Sequence, residues 1–500
     1  MPGARSDSTT IAILGAGLSG ICLGIQLKKA GINSFTIFEK SGGVGGTWRD
    51  NSYPGAACDV PSMFYSFSFE VKTDWSRIFA QQPEILEYVE YCTDKYGLRP
   101  HIRFDTEIES ARFDEASETW SLRTASGEEH VARILASGVG QLNRPFSPEI
   151  PGLDRFNGTA FHSARWNHDH DLAGREVAIV GNGASAVQII PEIAKETKRL
   201  DIYQRSANWL VRRNDRPYSE KQKSRFAKYP ILPRLQRALI WSLLELRWPA
   251  FSGNDFWQRQ MKKMSLDLLE NIVTDANLRR ALTPDYPVGC KRILISDDYY
   301  ETLVRDDVDV ITNPIAEVLP DGIRTEDGRI RKADTLILAT GFRTTEFLQP
   351  MDIRGRGGLP LNEAWQNGAE AYLGLVLPDF PNFFMMYGPN TNLGHNSIIL
   401  MIECQVRYIM QCIERLRGSD LSRLEIQRDA MNRWSEECQG ALRKSVWATG
   451  CDSWYKQTDG RITNNWPYGT IAYWWRTRRP QFNDFEEHSW SETRSSHPSS

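Results

Sequence analysis

The stretch TTIAILGAGLSGICLGIQLKKAGI, residues 9–32, contains the pattern that decides the fold of this chain. It begins with an apolar run, Ile11 to Leu14, that is typical of a buried strand, and it ends in a helical apolar pattern. Between the two lie the glycines of a G-x-G-x-x-G motif: Gly15, Gly17 and Gly20. The segment SFTIFEK, residues 34–40, is typical of a second strand. This order predicts a βαβ unit in which the glycine turn lets a dinucleotide pyrophosphate approach the helix N-terminus.

The same pattern returns in REVAIVGNGASAVQIIPEIAKETKRLDIYQRS, residues 175–206. Its strand, Val177 to Val180, leads into a glycine turn whose third glycine is replaced by alanine, which the motif tolerates. The three motif positions are Gly181, Gly183 and Ala186. A chain with two such units is predicted to bind two dinucleotides.

One residue in each unit indicates which dinucleotide is bound. Glu39 lies 24 residues after Gly15, and Arg205 lies 24 residues after Gly181, so we expect Glu39 and Arg205 to be structural equivalents. A carboxylate at this place accepts hydrogen bonds from a ribose diol, whereas a guanidinium binds a 2′-phosphate through charge-assisted hydrogen bonds. The first unit is therefore predicted to bind FAD and the second NADP(H). A protein that holds both most simply passes hydride from one to the other.

Two further segments, RILASGVG (133–140) and DTLILATGF (334–342), are typical of strands that close the two nucleotide-binding sheets. The predicted fold class is therefore α/β, with two Rossmann-like dinucleotide-binding domains, for FAD and NADP, and a helical insertion. The expected domains are discontinuous: residues 1–145 and 343–500 for FAD, residues 146–213 and 286–342 for NADP, and residues 214–285 for the insert. The insert has helical spacing and many charges, and it could cover the substrate cleft.

Composition argues against several classes of partner and site. The formal net charge of −3 favours neither nucleic acid nor an anionic membrane as a partner. No window approaches the roughly 18 to 20 apolar residues of a membrane span, and the N-terminal MPGARSDSTT has no apolar signal core. The eight cysteines include no C-x-x-C pair, which argues against a redox dithiol and fits free thiols. We expect a cytoplasmic protein whose last residues, 486–500, are frayed; the sequence does not give its oligomeric state.

Two motifs carry a resemblance to a known family. FNGTAFHSARW, residues 156–166, has the form F-x-G-x-x-x-H-x-x-x-W, and GGTWRDNSYPGAACD, residues 45–59, contains G-G-x-W, Y-P-G and a final aspartate. Together they resemble the type I Baeyer–Villiger monooxygenases, a branch of the class B flavoprotein monooxygenases. The signature of that branch ends in Pro or Asp, where this chain has Asn167. The resemblance extends from about residue 10 to about residue 460 and fades in DGRITNNWPYGTIAYWWRTRR.

The resemblance implies an FAD-containing enzyme that uses NADPH and O2 to convert ketones to esters or lactones through a C4a-peroxyflavin, with sulfoxidation as a further activity. It places the family's active-site arginine at Arg292, in YPVGCKRILISDDYYE (286–301), with Asp59 hydrogen-bonded to it. An arginine suits that role because it stays protonated and stabilises an anionic peroxide. Lys291 would join Arg205 at the 2′-phosphate. Trp454, in DSWYKQ, would belong to a loop that folds over the nicotinamide.

The candidate residues form three groups. The catalytic candidates are Arg292 and Asp59. The cofactor-binding candidates are Gly15, Gly17, Ser19, Gly20, Glu39, Thr47, Trp48, Asp59, Tyr65, Ile108, Gln141, Gly181, Gly183, Ala184, Ser185, Ala186, Arg205, Ser206, Lys291 and Trp454. The signature candidates are Phe156, Gly158, His162 and Trp166.

Two histidines need separate interpretations. His162 either positions the linker between the domains or reaches the active site during cofactor movement. GPNTNLGHNS, residues 388–397, is expected to form a turn near the flavin that leads a helix. Its His395 has no spaced partner, so we predict no metal site.

Other functions compete with the ketone monooxygenase. An amine or sulfide monooxygenase of the related branch is disfavoured by Trp166 and by the Asp59–Arg292 pair. A flavin disulfide reductase is disfavoured by the absence of a C-x-x-C pair. A catalytically silent flavoprotein that acts as a redox sensor is the alternative from a different class, and the intact cofactor and arginine positions argue against it.

Overall fold

Two parallel sheets, each of five strands, organise the chain. The computed structural model describes residues 10–448 and 460–490, so the candidate Trp454 lies outside the described residues. The strands are β1 (Ile11–Leu14), β2 (Phe35–Phe38), β3 (Ile102–Arg103), β4 (Ile108–Asp114), β5 (Thr119–Thr124), β6 (Glu129–Ala132), β7 (Ile134–Ser137), β8 (Thr159–His162), β9 (Glu176–Val180), β10 (Arg199–Tyr203), β11 (Leu210–Val211), β12 (Leu294–Ile295), β13 (Val308–Ile311), β14 (Ile315–Leu319), β15 (Gly322–Thr325), β16 (Ile330–Lys332), β17 (Thr335–Leu338), β18 (Asp352–Arg354), β19 (Phe383–Met385), β20 (Leu421–Ile426) and β21 (Phe485–Ser489).

Helices cover these sheets and fill the segment between β11 and β12. The α-helices are α1 (Leu18–Lys29), α2 (Thr47–Asp50), α3 (Gln82–Lys95), α4 (Ala184–Ile193), α5 (Glu220–Lys228), α6 (Ile231–Glu245), α7 (Trp248–Phe251), α8 (Asp255–Ile272), α9 (Ala276–Ala281), α10 (Tyr299–Leu303), α11 (Leu361–Ala364), α12 (Ile398–Gly418), α13 (Arg428–Leu442) and α14 (Thr470–Arg476).

The first sheet has the strand order β19-β7-β1-β2-β3, and all its pairs are parallel. All four residues of β1 are buried, because α1 packs against this sheet and α12 packs on α1. A strand buried on both faces is what a parallel sheet of an α/β protein requires. The apolar run Ile11 to Leu14 is therefore the central strand that the sequence predicts.

The second sheet repeats this arrangement with the order β13-β10-β9-β17-β8, again all parallel. The strands expected to close the two sheets, β7 and β17, lie directly beside β1 and β9. The α/β fold class with two Rossmann-like units is confirmed. The structure also contains antiparallel sheets that the sequence analysis does not predict, β4-β5-β6 with β18 at its edge and β14-β15-β16.

The predicted equivalence of Glu39 and Arg205 is wrong by one residue. The Gly15 amide donates to the carbonyl of Phe38, and the Gly181 amide donates to the carbonyl of Tyr203. Phe38 and Tyr203 are therefore the matching strand ends, and the residue that matches Glu39 is Gln204. Between the first glycine of its motif and the matching strand end, the second unit is one residue shorter than the first, and α4 is shorter than α1. Arg205 is the next residue along the chain.

The insert is helical, as predicted, and comprises α5 to α9. The two sheets draw their strands from separated parts of the chain, since β19 joins the first sheet and β13 and β17 join the second. We propose the domain division at 1–145 with 343–500, 146–213 with 286–342, and 214–285 on this basis.

Two smaller expectations are corrected. Phe485–Ser489 pairs with β20 as an antiparallel strand, so residues 486–489 are not frayed. Among residues 10–448 and 460–490, six cysteines are free and Cys290 is disulfide-bonded, which departs from the expectation of free thiols. Within the described residues, no helix combines the length and the apolar character needed to cross a membrane.

Candidate active site

A cavity of about 1470 Å³ lies where the carboxyl ends of the two parallel sheets meet. This volume exceeds the ~300–1,000 Å³ of a typical small-molecule pocket, so it has room for more than one ligand. The predicted residues that line it are Gly15, Gly17, Ser19, Glu39, Thr47, Trp48, Asp59, Tyr65, Ile108, Gln141, Gly181, Gly183, Ala184, Ser185, Arg205, Ser206, Lys291 and Arg292. Gly20, Ala186 and the four signature residues do not line it.

The first glycine turn is closely packed against its own strand and helix. Gly15 has φ +92°, a left-handed conformation that favours glycine. A Cβ at Gly20 would overlap the carbonyl oxygen of Gly15, so the buried third glycine is required for the helix to start this close to the turn. This cradle fits a pyrophosphate at the N-terminus of α1.

Glu39 directly follows the adjacent strand β2, and backbone amides fix its carboxylate. Its Oε2 accepts a hydrogen bond from the Ala16 amide at 2.7 Å, and its Oε1 accepts one from the Ser41 amide at 2.8 Å. An ionised carboxylate has about four lone-pair sites. Each oxygen of Glu39 can therefore accept a further hydrogen bond, which suits a ribose diol at the cavity wall.

Aromatic side chains hold the opposite side of the first unit. The Trp48 indole Nε1 donates to the Tyr65 hydroxyl at 3.0 Å, and the two rings meet edge to face at 5.6 Å. Burial raises the pKa of Tyr65 well above its ordinary value, so the hydroxyl stays protonated. This pair gives the cavity a rigid aromatic wall that a flat ring system can contact.

Gln141 presents an unsatisfied acceptor beside this wall. Its Nε2 donates to the Tyr387 carbonyl at 3.2 Å, while its buried Oε1 has no hydrogen-bond partner in residues 10–448 and 460–490. A buried acceptor without a partner is costly. Its position in the cavity lining fits a ligand that carries N–H donors.

The second glycine turn is more open than the first. Gly181 has φ +105°, and a Cβ there would overlap the Ala339 carbonyl oxygen. Gly183 and Ala184 are exposed, and a Cβ at Gly183 would meet nothing within 4 Å. The N-terminus of the 10-residue helix α4 has no side-chain cap, so its amides face the cavity as an anion site.

Cationic side chains lie at the end of β10 in this second unit. Arg205 is exposed and makes no hydrogen bond or ion pair within the described part of the chain, whereas Lys291 Nζ donates to the neighbouring Ser206 hydroxyl at 3.0 Å. Gln204, which occupies the place of Glu39, is buried and donates to the Ala281 carbonyl at 2.8 Å. The one-residue offset therefore puts an amide into the packing and leaves the guanidinium at the cavity.

An ion pair joins the two units inside the cavity. Arg292 Nε donates to Asp59 Oδ2 at 2.8 Å, and Arg292 Nη2 donates to the same oxygen. The two side chains are 31% and 32% exposed, so solvent only partly screens them. Asp59 follows the motif segment of the first unit, while Arg292 precedes β12, so their meeting depends on the whole fold.

The segment that carries Asp59 docks directly on helix α4 of the second unit. A Cβ at Gly55 would overlap the Gln188 carbonyl oxygen, and the Tyr53 hydroxyl donates to Gln188 Oε1 at 3.1 Å. Gln188 Nε2 in turn donates to the Ala57 carbonyl at 2.9 Å. Gln188 lines the cavity but was missed by sequence reasoning, because nothing in a helical glutamine indicates its distant partner.

The signature motif builds the edge of the second sheet instead of the cavity wall. His162 ends β8, opposite Leu338, and its Nδ1 accepts a hydrogen bond from the Ala164 amide at 3.0 Å. Burial lowers the pKa of His162 below its ordinary value. The Trp166 ring packs edge to face on Phe161 at 5.1 Å. These contacts favour the structural interpretation of His162, as part of the link between the units.

The segment 388–397 leads into α12, as the sequence analysis predicts, and it contributes two asparagines that the sequence analysis did not name individually. Asn392 and Asn396 line the cavity, and the Asn392 amide donates to the Asn464 carbonyl at 2.9 Å. His395 contacts Glu245 at 3.4 Å. No group of residues that could hold a metal ion occurs in the described ranges. A signal for the asparagines existed, since GPNTN follows β19 at the carboxyl edge of the sheet.

Comparison with known proteins places the chain in a family. The profile of the flavin-binding monooxygenase-like family matches residues 8–348. A Baeyer–Villiger monooxygenase from Pseudomonas aeruginosa is 41% identical over 470 residues, which cover 94% of this chain and 88% of that protein.

Two solved structures are similar over nearly the whole chain. An oxidized steroid monooxygenase bound to NADP has a TM-score of 0.86 at 32% identity, with 96% of this chain and 100% of that chain covered. The OTEMO complex with FAD and NADP has a TM-score of 0.86 at 29% identity, with 97% and 100% covered. The chain therefore belongs to the flavin-binding monooxygenase-like family and, within it, to the Baeyer–Villiger monooxygenases.

Proposed function

We propose that this protein uses NADPH and O2 to insert one oxygen atom beside the carbonyl of a ketone, giving an ester or a lactone. The observation that carries the proposal is the Asp59–Arg292 ion pair. It stands in a cavity that a unit fitted for FAD and a unit fitted for NADP(H) form together. The NADP- and FAD-bound relatives support the choice of cofactors.

The first unit holds FAD. The turn at Gly15 and Gly17 and the first amides of α1 bind the pyrophosphate, and the Glu39 carboxylate accepts hydrogen bonds from the ribose. Trp48 and Tyr65 support the flavin ring, and Gln141 Oε1 accepts a hydrogen bond that no described residue supplies. When bound, this cofactor accepts hydride from the nicotinamide and activates O2.

The second unit holds NADPH. The uncapped start of α4 binds the pyrophosphate. Arg205 and Lys291 bind the 2′-phosphate, with Ser206 positioning the lysine. Each charge-assisted hydrogen bond contributes about 1.5–3 kcal/mol, which is enough for about tenfold to a hundredfold preference over NADH.

Arg292 stabilises the negative charge that develops on oxygen atoms at the ketone carbonyl. Its guanidinium cannot lose its proton under these conditions. A cation about 4 Å from that charge contributes about 4 kcal/mol at an effective dielectric constant near 20, or about three decades of rate. Asp59 orients the guanidinium through the Nε and Nη2 bonds, so that the charge is in place before the reaction.

The variant Arg292→Ala tests this proposal. We expect NADPH to reduce the flavin of this variant at a rate near that of the parent, since hydride transfer does not use the guanidinium. Ester formation should fall by about a thousandfold. Stopped-flow absorbance follows the reduction, and mass analysis of a ketone panel with labelled O2 follows the product.

The matched control is Arg212→Ala, which removes an exposed arginine outside the cavity lining. It should turn ketones over at the parent rate. Ester formation by Arg292→Ala at the parent rate would reject the proposed role of the guanidinium. A parent protein that consumes NADPH and O2 but incorporates no label into any ketone would reject the proposed reaction.

A further inference from the structure

Helix α6 in the insert carries an exposed apolar stripe. Its members are Ile231, Leu235, Leu239 and Leu243 on the helix and the C-cap residue Leu246, each between 54% and 59% exposed. At 100° per residue they fall within about 120° of the helix surface, along about 22 Å of helix. Extended exposed apolar surface of this kind marks an interaction site.

The helix cannot turn this stripe inward, because its other face is fastened. Arg237 Nη1 donates to the Met63 carbonyl at 2.7 Å, in the loop beside Tyr65. Glu245 Oε2 accepts hydrogen bonds from Thr470 Oγ1 at 2.6 Å and from Asn396 Nδ2 at 2.9 Å. These partly buried hydrogen bonds would all be lost if α6 rotated.

A second exposed apolar group stands next to the end of this helix. The Ile471 amide faces the Glu245 carboxylate at 3.4 Å, so the start of α14 abuts the last turn of α6. Ile471 and Trp475, one helical turn apart, are 56% and 66% exposed. The stripe on α6 and these two residues together are called the apolar patch below.

The surroundings of the apolar patch are strongly basic. Residues 221–247 contain seven lysines and arginines and a single acid, Glu245, although the whole chain has a net charge of −3. Lys228 is exposed at the end of α5 and Arg234 in the first turn of α6. Arg478 and Arg479 are exposed just after α14. None of these four makes an ion pair within residues 10–448 and 460–490.

We propose that the apolar patch docks on the surface of an anionic lipid bilayer. Leucines on one side of a helix, an exposed tryptophan and flanking cations are the composition of a helix that lies in a membrane interface. A second copy of this chain fits less well. A two-fold contact would place the same patch against itself, and the basic residues would then repel each other. The proposal does not depend on the reaction that the cavity performs.

Sedimentation of the holoenzyme with vesicles tests the docking. We expect binding to phosphatidylcholine vesicles that contain about one third phosphatidylglycerol, weaker binding without the anionic lipid, and weaker binding at about 1 M salt, where the Debye length is about 3 Å. Leu239→Gln with Leu243→Gln should lower the partition coefficient about tenfold or more. Arg478→Gln should lower it about fivefold.

The matched controls are Ile330→Gln and Arg329→Gln, which change an exposed isoleucine and an exposed arginine on the β15–β16 side of the second unit. Both should bind vesicles like the parent. All the substituted side chains are exposed, so we expect every variant to fold. Flavin absorbance and thermal unfolding check this. Three results overturn the proposal: no vesicle binding by the parent, equal loss in the controls, or a parent dimer that the double leucine variant converts to a monomer without any lipid binding.

Discussion

Gly20 in the first unit and Ala186 in the second stand at the same place in their helices, yet only one of them tolerates a methyl group. A Cβ at Gly20 would overlap the Gly15 carbonyl oxygen, while the Cβ of Ala186 is accommodated in a fully buried position. The second glycine of each motif differs in the same sense, with less space in the first unit than in the second. Gly17 lies against the backbone of Gly46, whereas Gly183 faces open space.

The residues expected to bind the two ribose groups, Glu39 and Arg205, also differ in how tightly the protein holds them. Glu39 is 6% exposed and held by two backbone amides, whereas Arg205 is exposed and makes no bond within the described residues. The first unit is therefore preformed and enclosed, and the second presents an exposed guanidinium at a more open surface. This difference suits one cofactor that stays bound through many turnovers and another that must enter and leave each time.

The largest effect is expected from Gly20→Ala, which tests the enclosure of the first unit. The new methyl group has no room against backbone, so we expect bound flavin to fall by about tenfold or more and the free energy of unfolding to fall by about 1–3 kcal/mol. The ratio of flavin to protein absorbance and denaturant unfolding measure these changes.

Its matched control is Ala186→Gly at the same place in the second unit. That change should cost only about 1 kcal/mol, from helix propensity, and should leave the flavin content at the parent level. If Gly20→Ala retains its flavin, the close packing of the first turn does not control cofactor binding and the contrast between the units fails.

A smaller effect is expected from Arg205→Ala, which tests the open end of the second unit. The preference for NADPH over NADH should drop by about tenfold to a hundredfold, because the variant lacks the charge-assisted bonds to the 2′-phosphate. Flavin reduction rates with the two nucleotides give the ratio. Glu39→Gln serves as the control, since it changes the first unit and should not alter this preference; unchanged selectivity in Arg205→Ala would assign the 2′-phosphate to other residues.

The smallest effect is expected from His162→Gln, which tests a difference between the edge strands of the two sheets. The edge strand β19 of the first sheet is Phe383–Met385 and carries no titratable group, whereas β8 of the second ends in buried His162. Burial lowers the pKa of His162 from 6.5, so the unfolded chain takes up this proton first as the pH falls. Stability is lost below pH 6.5 and the loss is complete below the folded-state pKa.

The variant cannot take up this proton. As the pH falls from about 8 to about 5, the unfolding temperature of the variant should therefore rise relative to that of the parent. Thermal unfolding of both proteins across this range measures the difference. A difference that does not change with pH would show that His162 does not titrate between the folded and unfolded states.

Strong local patterns account for the parts of the fold that were predicted. The strand at Ile11–Leu14 was placed with its observed bounds, because four consecutive apolar residues before a glycine turn leave few alternatives. The flanking strands β7 and β17 followed from the same signal. The sheet β4-β5-β6 was not predicted, although its strands alternate: Ala111, Phe113, Trp120 and Leu122 are buried between exposed or half-buried neighbours.

Counting along the chain could not fix the relation between Glu39 and Arg205. The count assumes helices of equal length, and α4 is shorter than α1. Only the hydrogen bonds at the strand ends show that Gln204 takes the place of Glu39. The meeting of Asp59 with Arg292 was inferred from a resemblance, because contacts between residues so far apart in the chain leave no local pattern.

The close contact between Gly55 and Gln188 has a consequence for engineering. Backbone contacts backbone there with no space for a side chain. A change in the surface of either the loop or the helix would therefore disturb their contact. Chimeras that exchange one nucleotide-binding unit between relatives should keep this glycine and its glutamine partner together. Otherwise the two units will not pack against each other correctly.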